Sequence, residues 1–223
     1  MRYCSKDYSG GFMVNEGKIA VIIKKLNKEY SGTPQTALHF SSPFELLIAT
    51  IMSAQTTDIQ VNKVTAVLFK KYRTIRDFAD ALPEALAQDI RSVNFFNNKA
   101  KNIQKTASII IDTFKGNVPR TMEELVSLPG VARKTANIVL SAAFNIDAGI
   151  AVDTHVKRLA FRLGLTRHDD PVKIEQDLIA VTPHKEWSTL SHLLIFHGRK
   201  ICQARNPLHQ ACVLRDICPS RSL

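Results

Sequence analysis

Long apolar runs are missing from these 223 residues. The best candidate, Phe44 to Met52, is short and contains Glu45, so it cannot span a bilayer. The opening Met1-Arg2-Tyr3-Cys4-Ser5-Lys6-Asp7 has no apolar signal core behind it. A soluble, cytoplasmic chain with no membrane partner is expected. Cysteine is scarce: Cys4, Cys202, Cys212 and Cys218. Three of the four crowd the C-terminus, which excludes an evenly stapled secreted scaffold and favours a metal site. Acidic residues are outnumbered, 20 against 30 basic, giving a formal net charge of +10. That excess suits a polyanion, nucleic acid or an anionic membrane surface, although a merely basic surface would carry the same number. Strand-like alternation, low-complexity segments and solenoid repeats are also lacking.

Helix signals fill what remains. Hydrophobic residues make up 45%, which rules out a disordered polyelectrolyte. Ser42-Pro43-Phe44-Glu45 reads as a capping box with proline at the first helical position, ahead of a buried helix. Thr121-Met122-Glu123-Glu124 reads as a second capping box. Asp153 caps a helix whose Val156, Leu159, Ala160 and Leu163 share one face before Gly164. Asp170-Pro171 and Thr182-Pro183 open two more. Residues 1 to 16 are polar and expected to be loosely held. The fold class is all-α.

The sharpest chemistry lies in Leu128-Pro129-Gly130-Val131-Ala132-Arg133-Lys134-Thr135-Ala136-Asn137. A helix ends near Leu128, a Pro-Gly turn follows, and a new helix runs from about Arg133 to Phe144. The first amides of that helix lack intrahelical partners and form an anion site with the helix dipole. A DNA phosphate fits it, held without reading sequence. Alone, a Pro-Gly turn between helices is an ordinary loop. Here the residues resemble the helix-hairpin-helix of the endonuclease III superfamily of DNA glycosylases, Leu-Pro-Gly-Val-Gly-Arg-Lys-Thr-Ala. Ala132 replaces the second glycine. It keeps its N–H, and helical φ is expected there.

The resemblance makes Lys134 the nucleophile that attacks the anomeric carbon of a damaged nucleotide, expels the base and leaves a Schiff base, after which β-elimination nicks the strand. An amine attacks only when neutral. The helix N-terminus, the adjacent Arg133 and exclusion of water by bound DNA favour that form. Ala151-Val152-Asp153-Thr154-His155 resembles the family's Val-Asp-Thr-His segment, which makes Asp153 the carboxylate that stabilises an oxocarbenium-like sugar. A plain helix cap is the alternative reading of Asp153, and both roles are compatible.

A glycosylase must also flip its nucleotide out and fill the gap. Ser53-Ala54-Gln55-Thr56-Thr57-Asp58 resembles the loop whose glutamine enters the duplex, here Gln55. Val93 to Ala100 resembles the second wedge loop, with Asn94 and Phe95 where glycine and leucine are usual. Phe95 is expected to wedge by stacking, with either Phe95 or Phe96 packed in the core. Asn94 tolerates a left-handed turn. Gly130, Ala132 and Arg133 complete the expected DNA contacts.

At the C-terminus, Cys202, His209, Cys212 and Cys218 keep the spacing of the family's four 4Fe-4S cysteines, with histidine at the second place. Three cysteines with His209 around a 4Fe-4S cluster is the leading reading. Zinc on the same ligands, completion by Cys4, or no metal remain open. Lys200, Arg205, Arg215 and Arg221 are candidates to face DNA beside it.

The resemblance covers about residues 17 to 219. It implies two helical domains: a six-helix barrel with the hairpin, residues 37–148, and a second domain from residues 17–36 and 149–223. Lys134 and Asp153 then face each other across a DNA cleft. The implied protein is a monomeric glycosylase and abasic-site lyase that removes oxidised pyrimidines from double-stranded DNA in base-excision repair. A monofunctional mismatch glycosylase is disfavoured by Lys134 and the short chain. A non-catalytic, metal-bearing DNA-binding module has no need of both Lys134 and Asp153.

Overall fold

Proline and short polar caps set where the helices begin. Ser42 accepts a hydrogen bond from the Glu45 amide at 3.2 Å, and Pro43 occupies the first turn of α2 (Pro43–Ser53). Glu45 reaches back to the amide of Ser41 at 2.6 Å rather than that of Ser42, so the box expected there closes one residue early. Thr121 starts α7 (Met122–Val126), but its hydroxyl meets the Glu124 carboxylate directly instead of leaving it for the cap amide. The reciprocal box occurs at Thr74 and Asp77, before α4 (Ile75–Ala79).

The structure, a computed structural model, describes residues 16–34 and 36–221. Cys4 and the loose segment expected at the N-terminus lie outside that range, except for Glu16, which begins α1 (Glu16–Glu29). The remaining helices are α3 (Asp58–Lys71), α5 (Pro83–Asp89), α6 (Phe96–Asp112), α8 (Arg133–Phe144), α9 (Thr154–Arg162), α10 (Pro171–Val181) and α11 (Trp187–Lys200). Among the described residues there is no strand, and no helix is long and apolar enough to cross a membrane. Pro171 opens α10 behind its Asp170 cap as expected. Pro183 opens only a 3-10 turn, His184–Glu186, that leads into α11.

Among the described residues two hydrophobic cores form. One gathers α2 to α8 around Leu46, Leu47, Ile48, Phe78, Ile103 and Leu140. The other joins α1 to α9, α10 and α11 around Ile19, Leu26, Val156, Leu178 and Leu194. Helix α1 therefore packs with helices that follow it by more than a hundred residues. Polar ties cross between the two cores: Asp58 to Arg199 at 3.3 Å, Arg133 to Glu175 at 2.7 Å, and Asp147 to the backbone and side chain of Ser188.

Candidate active site and nucleic-acid interface

Gly130 makes the turn between α7 and α8. Its φ is 78°, which favours glycine, and a Cβ there would lie 2.8 Å from Asn102 Nδ2 and oblige that side chain to shift. Ala132 has the negative φ expected of it, but its ψ is extended. It is the extended N-cap of α8, with φ −86° and ψ 164°. Since φ stays negative, alanine is unstrained at this position. An alanine cap also brings no side-chain acceptor to the first amides of α8, which suits them to an incoming anion.

Lys134, in the first turn of α8, points at Asp153 in front of α9, with Nζ 3.6 Å from Oδ2. The two aspartate oxygens do different work. Oδ1 accepts from the His155 and Val156 amides at 2.8 and 2.9 Å, capping α9, and Oδ2 faces the lysine. The Asp153 side chain is 10% exposed and that of Lys134 48%, so the carboxylate is fixed while the amine remains open to a ligand.

Arg133 turns away from that opening. Its Nε donates to Glu175 Oε2 at 2.7 Å and its Nη2 to Oε1 at 3.3 Å. The bond to Glu175, more than the opposing burial, holds the guanidinium pKa above its usual value. Glu175 is buried, and a Cβ on Gly149 would sit 2.2 Å from its Oε1. Local pattern did not flag Glu175, Gly149 or the buried Asn137 beside them. The partners meet from α8, α10 and the connection between, and only an acidic residue within an apolar helix face hinted at it.

Gln55 and Phe95 stand at the tips of two adjacent turns. Both are left-handed, with φ 55° and 58°, and both are exposed, Phe95 by 62%. The left-handed residue in the second turn is Phe95, not Asn94. Asn94 instead ties the turns together: its backbone N–H donates to Thr56 Oγ1 at 3.1 Å and its Nδ2 to the Gln55 carbonyl. Phe96 packs against the first core.

At the C-terminus, Cys202, His209, Cys212 and Cys218 all line one open cavity of about 310 Å³. No three histidine, cysteine, aspartate or glutamate side chains among the described residues converge closely enough to hold a single ion. Burial pushes the Cys212 and Cys218 thiols up, so thiolates there need a strong positive charge in the cavity. Helix α9 is bolted to this loop. Arg158 donates to the carbonyls of Cys202 and Gly198, and Arg162 to Cys202 Sγ at 3.2 Å and to Gln203 O at 2.8 Å. Burial holds His197 down to about 4; its Nε2 lies 3.3 Å from Cys212 Sγ and its Nδ1 2.8 Å from Tyr30 Oη. Of the basic residues expected beside it, Lys200 lies over the Tyr30 and Phe196 rings and Arg215 bonds Gln210, while Arg205 and Arg221 are exposed.

A larger cavity of about 410 Å³ opens between α8 and α11, lined by Asn137, Ser141, Gly149, Ser191 and His192 among others. Lys134 and Asp153 do not line it. That hollow offers serine hydroxyls and the His192 ring, whereas the Lys134–Asp153 approach sets an amine beside a carboxylate.

Residues 48–184 match the HhH-GPD superfamily base excision DNA repair protein family, and residues 202–218 match the iron-sulfur binding domain of endonuclease III. The chain is 50% identical to an endonuclease III of Synechocystis sp. over 203 residues, 91% of each chain. It is 45% identical to an endonuclease III of Bacillus subtilis over 207 residues, 92% of this chain and 94% of that one. A solved structure of a trapped endonuclease III–DNA covalent intermediate superposes with a TM-score of 0.87 at 45% identity, covering 94% of this chain and 98% of the other.

Proposed function

This chain belongs to the HhH-GPD superfamily of base excision DNA repair proteins and, within it, to the endonuclease III family, and from that premise we propose how its own residues divide the work. It is a DNA glycosylase and abasic-site lyase that acts on DNA. Residues 37–148 and residues 17–36 with 149–223 are the two jaws of its cleft. Its substrates are oxidised pyrimidines in chromosomal DNA of a bacterial cytoplasm.

The observation that carries the catalytic reading is the 3.6 Å approach of Lys134 Nζ to Asp153 Oδ2. Asp153 accepts the ammonium proton as bound DNA excludes water. The neutral amine attacks C1′ of the sugar while the C1′–N bond to the base breaks. That electron pair leaves with the base, which takes the proton from Asp153. The carboxylate so restored stabilises the positive sugar. A proton passes from the new C–N nitrogen to the ring oxygen as the ring opens to a Schiff base. Removal of a C2′ proton then expels the 3′ phosphate and cuts the strand.

The amides behind Gly130 and Ala132 hold a backbone phosphate, and Gln55 and Phe95 enter the stack where the nucleotide leaves. Arg133 lies at the same edge, but its guanidinium is engaged by Glu175; its contribution to DNA binding is indirect.

The 202–218 segment is an iron-sulfur binding domain. Cys202, Cys212, Cys218 and His209 would hold a 4Fe-4S cluster, which supplies a fixed, charged brace for the loop rather than reaction chemistry. The donors surround a cavity without meeting at a point, which favours a polynuclear group over zinc. About four iron and four sulfide per chain are expected on anaerobic purification; one zinc and no sulfide would contradict this reading.

The catalytic reading is tested on a duplex with one thymine glycol. Wild type is expected to release the base and nick the strand. Lys134→Gln is expected to bind and do neither. Base release surviving in Lys134→Gln would mark a monofunctional, water-using enzyme.

A further inference from the structure

Lys99 is a charged residue without a part in the chemistry above, and it is buried, 6% exposed, in the first turn of α6. Its ammonium donates to Met52 O at 2.8 Å, to Ala54 O at 2.6 Å and to Thr56 Oγ1 at 3.3 Å. Three donors thus meet three acceptors. Two of these are carbonyls at the C-terminal end of α2, where helical partners run out and a cation is favoured. The same residue's backbone N–H donates to Phe95 O at 3.1 Å. Asn94 closes the ring by donating to Thr56 Oγ1 and the Gln55 carbonyl. Both turns have left-handed tips, which persist only when their surroundings over-determine them. Burial lowers the Lys99 pKa, so the site holds a charge against desolvation where an apolar side chain would fill the same space more cheaply.

We propose that Lys99 is a positioning residue for nucleotide extraction: it locks the Gln55 turn to the Phe95 turn, so that both prongs enter the duplex as one rigid wedge. This rests on the wedge roles given above to Gln55 and Phe95. A two-pronged wedge works only if the prongs keep their spacing while the stack pushes back. A flexible pair would fold aside, and a displacement of about 1 Å at such a site costs up to a hundredfold in rate. The ring's acceptors are backbone carbonyls and the Thr56 hydroxyl, so it fixes the turns whatever base stands opposite.

The test compares single-turnover base release from a paired thymine glycol with release from the same lesion in an unpaired bubble, where little extraction is needed. A 2-aminopurine beside the lesion reports unstacking by fluorescence. Lys99→Met is expected to lower the duplex-to-bubble rate ratio by about tenfold or more and to blunt the fluorescence rise. Lys99→Arg, which keeps the charge, should recover part of both. Asn94→Ala, at an exposed residue of the ring, should lower the ratio less, and it decides the matter if Lys99→Met fails to fold. The double variant Gln55→Ala with Phe95→Ala serves as reference. If that double variant lowers the ratio while the Lys99 and Asn94 variants leave it unchanged, or slow both substrates equally, the positioning role is overturned. If the double variant leaves the ratio unchanged, the wedge reading itself fails and this proposal falls with it.

Discussion

On the proposed mechanism, Asp153 serves structure with one oxygen and chemistry with the other. Its Oδ1 caps α9 and its Oδ2 faces Lys134. The two duties separate on mutation. Asparagine caps as well as aspartate, so Asp153→Asn is expected to melt within about 0.5 kcal/mol of wild type while base release falls about a hundredfold or more. Asp153→Ala should lose activity similarly and also about 1 kcal/mol of stability. Thermal melts and single-turnover rates on the same preparations check both, and full activity in Asp153→Asn would remove the carboxylate from the mechanism. The places of Lys134 and Asp153 were legible in the sequence because each sits in a local motif whose backbone purpose is visible: a helix start after Pro-Gly, and a cap before an apolar face; the roles proposed for them rest on the family resemblance. The fate of Arg133 was not legible. Its partner, Glu175, lies 42 residues on, and nothing in the local pattern says that this glutamate is buried.

At the scale of elements, α8 and α9 bring Lys134 and Asp153 together from different cores, and each helix is anchored by a further polar contact. The anchor of α8 is Arg133 on buried Glu175. Removing one partner of such a pair strands the other. Arg133→Leu is therefore expected to cost about 2 kcal/mol, below the 3–5 kcal/mol of a fully buried pair because the Arg133 side chain is half exposed. Glu175→Gln should cost less, since the amide leaves no buried charge. Urea unfolding checks the order, and equal costs would contradict it. The anchor of α9 is the Cys202 loop held by Arg158 and Arg162. His155 in α9 adds a pH dependence. Burial holds its pKa below the usual 6.5, against the pull of the Asp153 carboxylate and with help from Arg158 and Arg199. The unfolded chain then binds a proton that the folded chain resists, so stability is intact above pH 6.5 and declines as pH falls below it. Unfolding midpoints at pH 7.5 and 5.5 should differ more for wild type than for His155→Gln; an equal difference would exclude His155 as a source. Helix boundaries were readable where proline or an aspartate cap marks them, as at Pro43, Asp153 and Asp170. The capping boxes were less so. Glu45 and Glu124 each chose a neighbouring partner, a shift of one residue or one atom that spacing alone does not decide.

For the whole molecule, the net charge of +10 and the polar ties between two separate cores describe a clamp for a polyanion. Binding of undamaged duplex is expected to weaken steeply with salt, on the order of a thousandfold between 50 and 200 mM if about six phosphates are engaged. Arg133→Leu should leave that slope nearly unchanged, because Glu175 already neutralises the guanidinium. The all-helical class was legible from the scarcity of alternation. The packing of α1 against α9, α10 and α11 follows from contacts distant in sequence, and in the sequence it rested on family resemblance rather than on any local signal. The central claim is that Lys134 forms a covalent bond to the sugar of a damaged nucleotide. Borohydride trapping on a duplex carrying one thymine glycol tests it most directly. The account predicts a stable protein–DNA adduct with wild type, mapped to Lys134, and none with Lys134→Gln despite retained binding. An adduct of equal yield in Lys134→Gln, or none with an active wild type, would contradict it.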